Sequence, residues 1–107
     1  MLSEKLLVSE AKRRARIFSD LDKHLKTIAD TVKRLDEKAE VYLFGSVAEG
    51  RHLLSSDIDV LVVTDAAPAH VIAELWKSGI TDPFEVHVVT RDFFETYRKR
   101  AKLVRIA

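Results

Sequence analysis

The sequence contains no cysteine, only three glycines and two prolines, and no long apolar run. Without cysteine, the chain forms neither disulfides nor thiolate metal sites. A membrane-spanning helix needs about 20 predominantly apolar residues in a row, and no run in this sequence approaches that length. The opening residues, Met1 to Lys5, show no apolar core of a signal peptide. We therefore expect a cytoplasmic protein.

Neither sign of charge dominates, because 18 lysines and arginines stand against 17 aspartates and glutamates, for a formal net charge of +1. Long nucleic acids are bound largely through phosphate contacts from basic residues, so this composition argues against such a partner. One basic cluster comprises Lys12, Arg13, Arg14 and Arg16. It either contacts nucleic acid or an acidic partner, or it faces solvent; we favour the solvent-facing alternative because helical charge runs commonly do so.

The length of 107 residues suits one hydrophobic core and is too short for two. Hydrophobic residues make up 47% and charged residues 33%, as in ordinary folded domains. We predict a single domain over residues 1–107, with an N-terminal helical segment at 1–37 and a core that contains the sheet at 38–107.

Helical and strand patterns alternate along the chain. Residues 3–37 lack glycine and proline, and their apolar positions recur at threes and fours, which predicts helix with a break near 17–20. Apolar runs predict strands at 41–44, 57–64 and 84–89. The expected fold class is α/β (α+β), with a small mixed β-sheet of three to four strands and helices packed on it.

Two further helices complete the prediction. One begins near Pro68 and ends at Gly79, with Val71, Ile72, Leu75 and Trp76 as its buried face. The other runs over 91–99, and the tail at 102–107 either extends it or pairs with another segment. Trp76 has the alternative of stacking on a nucleic-acid base, but its helical spacing favours the core.

Two aspartates precede the most apolar strand. Side chains alternate along a strand, so Asp57 and Asp59 share a face, with Cα atoms about 6.6 Å apart. The next four residues, Val60 to Val63, are all apolar, as in a strand covered on both faces. Charges at the mouth of such a strand are costly unless a cation compensates them, which favours a magnesium site. The alternative is that Asp57 caps a turn and Asp59 is solvated.

A glycine and a serine follow the first strand directly. Gly45 permits a sharp turn after the run Val41 to Phe44. Ser46 then offers a hydroxyl and a backbone N–H, and such turns and helix starts hold phosphate groups. The alternative is an ordinary strand-to-helix turn with Ser46 as its N-cap. No lysine follows in the spacing of a P-loop.

Gly45-Ser46, ten intervening residues and Asp57-Ile58-Asp59 resemble the signature of the polymerase-beta-type nucleotidyltransferase superfamily. More narrowly, the chain resembles the minimal nucleotidyltransferases (MNT) of prokaryotes. Gly50-Arg51 and Ser56 also fall where such proteins often carry a glycine with a charged residue and a serine. The resemblance implies the polymerase beta-like fold and transfer of a nucleoside monophosphate, in the first instance AMP from ATP, to a hydroxyl acceptor.

The resemblance also implies roles for residues of this chain. Asp57 and Asp59 would hold Mg2+ in a two-ion site, and the phosphates of ATP or another triphosphate would be bound by Gly45, Ser46, Ser56 and Arg51. Family members use a third acidic residue on a neighbouring strand, which points to Glu85. The family's polymerases carry aspartate there, and the alternative for Glu85 is a cross-strand ion pair.

Two histidines stay without an assigned role. His87 shares the strand face of Glu85 and is expected to be a polar filler rather than a site residue. His52 lies in the loop beside the motif, where it either contacts phosphate or faces solvent.

The resemblance further implies a partner. Minimal nucleotidyltransferases of this kind commonly act as the antitoxin of a HEPN/MNT toxin-antitoxin pair, and some transfer AMP to the helical HEPN protein. We expect a HEPN-type partner or a homodimer. The alternative function is a weak or inactive binding module that neutralises its partner by complex formation. Modification of nucleotides or tRNA is a third alternative, disfavoured by the neutral charge balance.

Overall fold

The computed structural model describes residues 3–107 and contains five helices and a four-stranded mixed sheet, which confirms the predicted fold class. The predicted helical segment at 1–37 includes residues 1 and 2, which lie outside the described residues. The elements in chain order are α1 (Glu4–Ser19), α2 (Leu21–Leu35), β1 (Glu40–Phe44), α3 (Gly45–Ala48), β2 (Ile58–Val63), α4 (Pro68–Lys77), β3 (Phe84–Val89), α5 (Arg91–Arg100) and β4 (Val104–Arg105).

The sheet has the strand order β3-β2-β1-β4. Strand β1 is antiparallel to β2 and β4, whereas β2 and β3 are parallel. Strand β2 therefore lies inside the sheet, and Val60 to Val63 are almost completely buried, as their unbroken apolar run predicts. The tail pairs with β1 as strand β4, so the second of its two predicted alternatives is the one observed.

The two faces of the sheet are covered unequally. On one face, Val60 and Val62 of β2 pack with apolar residues of α2 and α4 in the main core. On the other face, Phe94 and Tyr97 of α5 pack against a smaller buried cluster around Leu61. Side chains at the beginning of β2 and β3 on this second face stay partly exposed, and this is where the acidic residues lie.

Helices α1 and α2 meet at Asp20, inside the interval where the sequence predicts a break. Helix α1 buries none of its residues, but two arginines anchor it. Arg13 donates to the Asp82 carbonyl at 2.9 Å, and Arg14 donates to the Ser56 carbonyl at 3.3 Å. The expectation of a wholly solvent-facing basic cluster is thus wrong for these two side chains, which bind the loops at the mouth of the sheet.

Helix α4 begins at Pro68, and Gly79 with a φ of +87° follows its end. Val71 and Leu75 are buried as predicted, but Trp76 is 66% exposed, so its assignment to the buried face is wrong. The reason is geometric: Val71 and Leu75 are four residues apart on one stripe, and Trp76 is turned about 100° from Leu75 around the helix axis. Ile72 is half-buried.

Strand β2 begins at Ile58, one residue later than predicted, so Asp57 is the last residue of the preceding loop. Across residues 3–107, no helix combines the length and the apolar character that crossing a membrane requires.

Candidate functional site

Two carboxylates and an imidazole converge where β2 and β3 begin. The parallel register places Asp59 directly beside Glu85, and His87 lies two residues further along the same face of β3. His87 Nε2 is 3.7 Å from Asp59 Oδ1 and 3.5 Å from Glu85 Oε1. One potential ligand atom from each of the three side chains lies within 4.8 Å of the other two. We call Asp59, Glu85 and His87 the acidic-histidine cluster.

The position of Asp59 in the cluster changes the pKa of its carboxyl group. Burial raises the pKa of its carboxyl above the ordinary value, the charge of His87 opposes that rise, and the neighbouring charge of Asp57 adds to it. The Asp59 side chain is 24% exposed, so its negative charge is only partly solvated. A divalent cation at the cluster would compensate a charge that the protein itself leaves poorly compensated.

The cluster differs in membership from the predicted triad of Asp57, Asp59 and Glu85. The structure brings Asp59 and Glu85 together and adds His87, whereas Asp57 is exposed and is not one of the clustered ligands. Asp57 is still close enough for its charge to act on Asp59. Its role as a metal ligand stays a prediction.

Gly45 lies directly against the cluster. Its φ of +74° favours glycine, and a Cβ atom at this position would stand 2.3 Å from Asp59 Oδ2. Any side chain here would displace the carboxylate, so glycine is what allows the turn after β1 to approach it. Helix α3 starts at this glycine, and Ser46 is its second residue, half-buried. The first N–H groups of a helix have no partner within it and are free to bind an anion.

Ser56 and Arg51 have contacts of their own. The Ser56 hydroxyl accepts from the Leu53 N–H at 2.9 Å and so shapes the loop before β2. The exposed Arg51 guanidinium pairs with Glu49 at 3.0 Å. His52 stacks on Phe18 of α1, with ring centroids 5.0 Å apart and planes within 5°. Ser56 and His52 thus help hold the loop in place, and the predicted phosphate contacts of Ser56 and Arg51 remain predictions.

Sequence reasoning missed the aromatic surroundings of the cluster. Phe44, the residue paired with Asp59 across β1 and β2, lies edge-on to His87 with centroids 5.1 Å apart. Phe44 and Tyr97 also line a cavity of about 380 Å³ under the end of α5, together with Thr96, Arg100 and Ala101. The antiparallel register that pairs Phe44 with Asp59 is the signal that would have placed this ring beside the carboxylates.

The family model described as "Nucleotidyltransferase domain" matches residues 25–106. The chain belongs to this family. The matched range contains the Gly45 turn, both aspartates and Glu85, and it leaves out α1. A crystal structure of a candidate nucleotidyltransferase from Sulfolobus solfataricus is similar over 91% of this chain and 85% of that one, with 25% identity and a TM-score of 0.57. No curated protein matches the chain significantly.

These findings confirm the resemblance drawn from the Gly45-Ser46 and Asp57-Ile58-Asp59 motifs. The chain is a minimal nucleotidyltransferase of the polymerase beta-like superfamily, and the reaction class of its domain is transfer of a nucleoside monophosphate. The side chains fit the divalent cation that this chemistry needs, because Asp59 and Glu85 present oxygen ligands on one face of the sheet.

Proposed function

We propose that this nucleotidyltransferase binds ATP with Mg2+ at the acidic-histidine cluster and transfers AMP to a hydroxyl group of a partner protein in the cytoplasm. The acceptor hydroxyl would lose its proton to Glu85, and its oxygen would form a bond to the α-phosphorus. The bond from that phosphorus to the bridging oxygen would break, and pyrophosphate would leave. The observation that carries the proposal is the Gly45 turn lying against Asp59, with Glu85 beside it on the neighbouring strand.

Each residue has a task in this proposal. Asp57 and Asp59 would hold one ion for the triphosphate, and Asp59 and Glu85 would hold a second ion for the acceptor. Bound Mg2+ would neutralise phosphate charge and make the acceptor hydroxyl easier to deprotonate. Glu85 is one methylene longer than the family's aspartate, and its side chain is 54% exposed, so it has room to adjust to that ion.

The triphosphate tail would lie on the Gly45 turn. Backbone N–H groups at the start of α3 and the Ser46 hydroxyl would donate to the β- and γ-phosphates. Ser56 would contribute from the loop before β2. Arg51 is 67% exposed, and the exposed ion pair with Glu49 is a weak interaction that a phosphate would readily replace. Catalysis would rest on positioning and charge neutralisation, as in other phosphoryl transfers.

The acceptor is proposed to be a helical partner protein of the HEPN type. Helix α1 lies outside the matched family range, buries none of its residues and exposes Leu6, Leu7 and Val8. Leu7 and Ala11 line a groove of about 470 Å³ with Leu53 and Leu54, bordered by Glu10, Arg14 and Ser55. We call this the α1 groove. An amphipathic helix laid into an apolar groove is a recurrent mode of recognition, and an exposed apolar surface of this kind favours a partner.

A second candidate function follows from the same surface. The α1 groove offers apolar contact whether or not nucleotide is transferred, so the chain would also serve as a binding module that neutralises its partner by forming a complex. A homodimer through the α1 groove is the remaining alternative for its occupant, and light scattering of the purified chain distinguishes it from a monomer.

The deciding experiment incubates the chain with labelled ATP and Mg2+, with and without the protein encoded by the adjacent gene. Label on the neighbour supports transfer, and a stable complex without label supports the binding module. The Leu7→Asp/Leu53→Asp variant should abolish complex formation, whereas Phe93→Asp, at another exposed apolar position on α5, should not. Neither label nor complex with the neighbour would overturn the proposed partner.

A further inference from the structure

The acidic-histidine cluster contains a nitrogen ligand that the predicted all-carboxylate site lacks. We infer that His87, with Asp59 and Glu85, makes this a site for a first-row transition-metal dication, which it binds in preference to Mg2+. The inference deepens the proposed function, in which Mg2+ occupies the same site, by adding that a transition-metal dication binds there more tightly. The use of that metal in transfer rests on the proposed function, but binding of the metal itself does not.

The distances among the three side chains are too long for hydrogen bonds and leave room for a shared ion. Hydrogen bonds between nitrogen and oxygen are about 2.7–3.2 Å long, whereas His87 Nε2 stands 3.5 and 3.7 Å from its two carboxylate neighbours. Neighbouring ligands around an octahedral ion, at bond lengths near 2.1 Å, are about 3 Å apart. Small rotations of the three side chains would therefore enclose an ion between them.

The ring of His87 is held in the orientation this needs. Its Nε2 atom faces both carboxylates, and its ring lies against Phe44 at an interplanar angle of 65°. The side chain is 31% exposed, so water and ions reach it from the open face of the sheet. One ring nitrogen is thus placed to join both carboxylates around a single ion.

The types of ligand atom determine which metal the site prefers. Mg2+ prefers oxygen ligands and keeps several waters, so a nitrogen ligand adds little to its binding. Imidazole suits the later first-row dications, whose affinities for such sites rise from Mn2+ through Co2+ towards Cu2+. One imidazole with two carboxylates is therefore expected to shift the preference towards the transition series without excluding Mg2+.

The test titrates the purified full chain, without nucleotide, with Co2+ and separately with Mg2+ by calorimetry, and records the visible spectrum of the Co2+ form. We expect Co2+ to bind more tightly than Mg2+, and His87→Gln to weaken Co2+ binding about tenfold or more while Mg2+ binding changes little. The spectrum should change with the loss of the nitrogen ligand. His52→Gln, a histidine stacked on Phe18 away from the cluster, is the matched control and should change nothing.

Three results would overturn the inference: equal Co2+ and Mg2+ affinities in the wild type, an unchanged Co2+ affinity in His87→Gln, or Co2+ binding that survives Asp59→Asn. Thermal unfolding of each variant shows that it is folded. The first two failures leave the proposed transfer untouched, because they concern neither nucleotide nor the Mg2+ ligands. The third would also count against Asp59 as a metal ligand in the proposed function. Conversely, transfer at the wild-type rate by the Asp57→Asn/Asp59→Asn variant would overturn the function without deciding the metal preference.

Discussion

The two ends of strand β2 hold aspartates in opposite electrostatic situations. Beyond its C-terminal end, Thr64 donates to the Asp36 carboxylate at 2.7 Å, and the Lys38 N–H donates to it at 3.0 Å. These hydrogen bonds, with a smaller contribution from Arg91, hold the pKa of Asp36 below its ordinary value. At the other end, burial raises the pKa of Asp59, and His87 is its ion-pair partner among the described residues.

The difference separates a structural carboxylate from a functional one. Asp36 has donors that join the end of α2 to the end of β2, so its ionised form stabilises the fold. Asp59 is partly buried beside other carboxylates, so its ionised form destabilises the fold until a cation arrives. A site poised for metal and phosphate is expected to carry this kind of local cost.

The largest expected effect is on transfer. Asp59→Asn should lower kcat/KM for nucleotide transfer about 10²-fold or more, because it removes a ligand of the catalytic ion. Asp36→Asn should leave kcat/KM close to wild type, provided the assay is run where the variant is folded. The measurement is transfer of label from ATP to the acceptor. An equal loss of kcat/KM in both variants would show that Asp59 and Asp36 do not differ in function.

The next effect comes from the turn that faces Asp59. Gly45→Ala and Gly50→Ala both force alanine to a positive φ, which costs about 1–2 kcal/mol in each variant. Only at Gly45 does the new Cβ meet Asp59, since nothing lies within 4 Å of a Cβ at Gly50. We therefore expect a larger loss of stability in Gly45→Ala than in Gly50→Ala, and a loss of transfer, about 10²-fold, in Gly45→Ala alone.

Chemical unfolding measures the loss of stability in each glycine variant, and the transfer assay measures the activity of each. Normal transfer by Gly45→Ala would show that the close approach of this turn to the Asp59 carboxylate does not matter for the reaction.

The third effect is on stability at the Asp36 end. Asp36→Asn should lower the free energy of unfolding at pH 7 by about 1–3 kcal/mol, because it removes a charged acceptor from its donors. The folded pKa of Asp36 is lowered, so its contribution is present above the unfolded pKa of about 3.9 and is lost as pH falls through the folded pKa. Urea unfolding from pH 7 to pH 2 should show the two proteins converging in acid.

The smallest expected effect is a gain in stability when Asp59 is replaced. Because the folded pKa of Asp59 is raised, its ionisation costs stability as pH rises through that pKa, and the cost is absent below the unfolded pKa of about 3.9. Asp59→Asn should therefore be slightly more stable than wild type at pH 7, with chelator present, and no more stable in strong acid. A variant that is less stable at pH 7 would mean that Asp59 is a structural carboxylate like Asp36.

Local pattern predicted much of the fold and part of the site. The apolar run at Val60 to Val63 marked the inner strand. The choice of Glu85 came from the family resemblance, and the structure places this residue beside Asp59. The Gly45-Ser46 and Asp57-Ile58-Asp59 motifs indicated the family that the comparisons confirm. Each of these signals depends on residues close together in the chain.

The rest depends on how distant segments meet. His87 joins Asp59 only through the register of two parallel strands, and Asp36 meets Thr64 across 28 positions of sequence. Trp76 is exposed because only the stripe of Val71 and Leu75 on α4 is buried in the main core. Periodicity shows that a helix has an apolar stripe, but it does not show how wide the covering surface is.

The most direct test of the central account is calorimetric titration of ATP into the chain with Mg2+ and, separately, with chelator. The wild type is predicted to bind ATP in a metal-dependent manner, and the Asp57→Asn/Asp59→Asn variant, folded and at least as stable at pH 7, is predicted to lose that binding. Metal-dependent binding of equal strength in the double variant would contradict the assignment of this end of β2 as the nucleotide site.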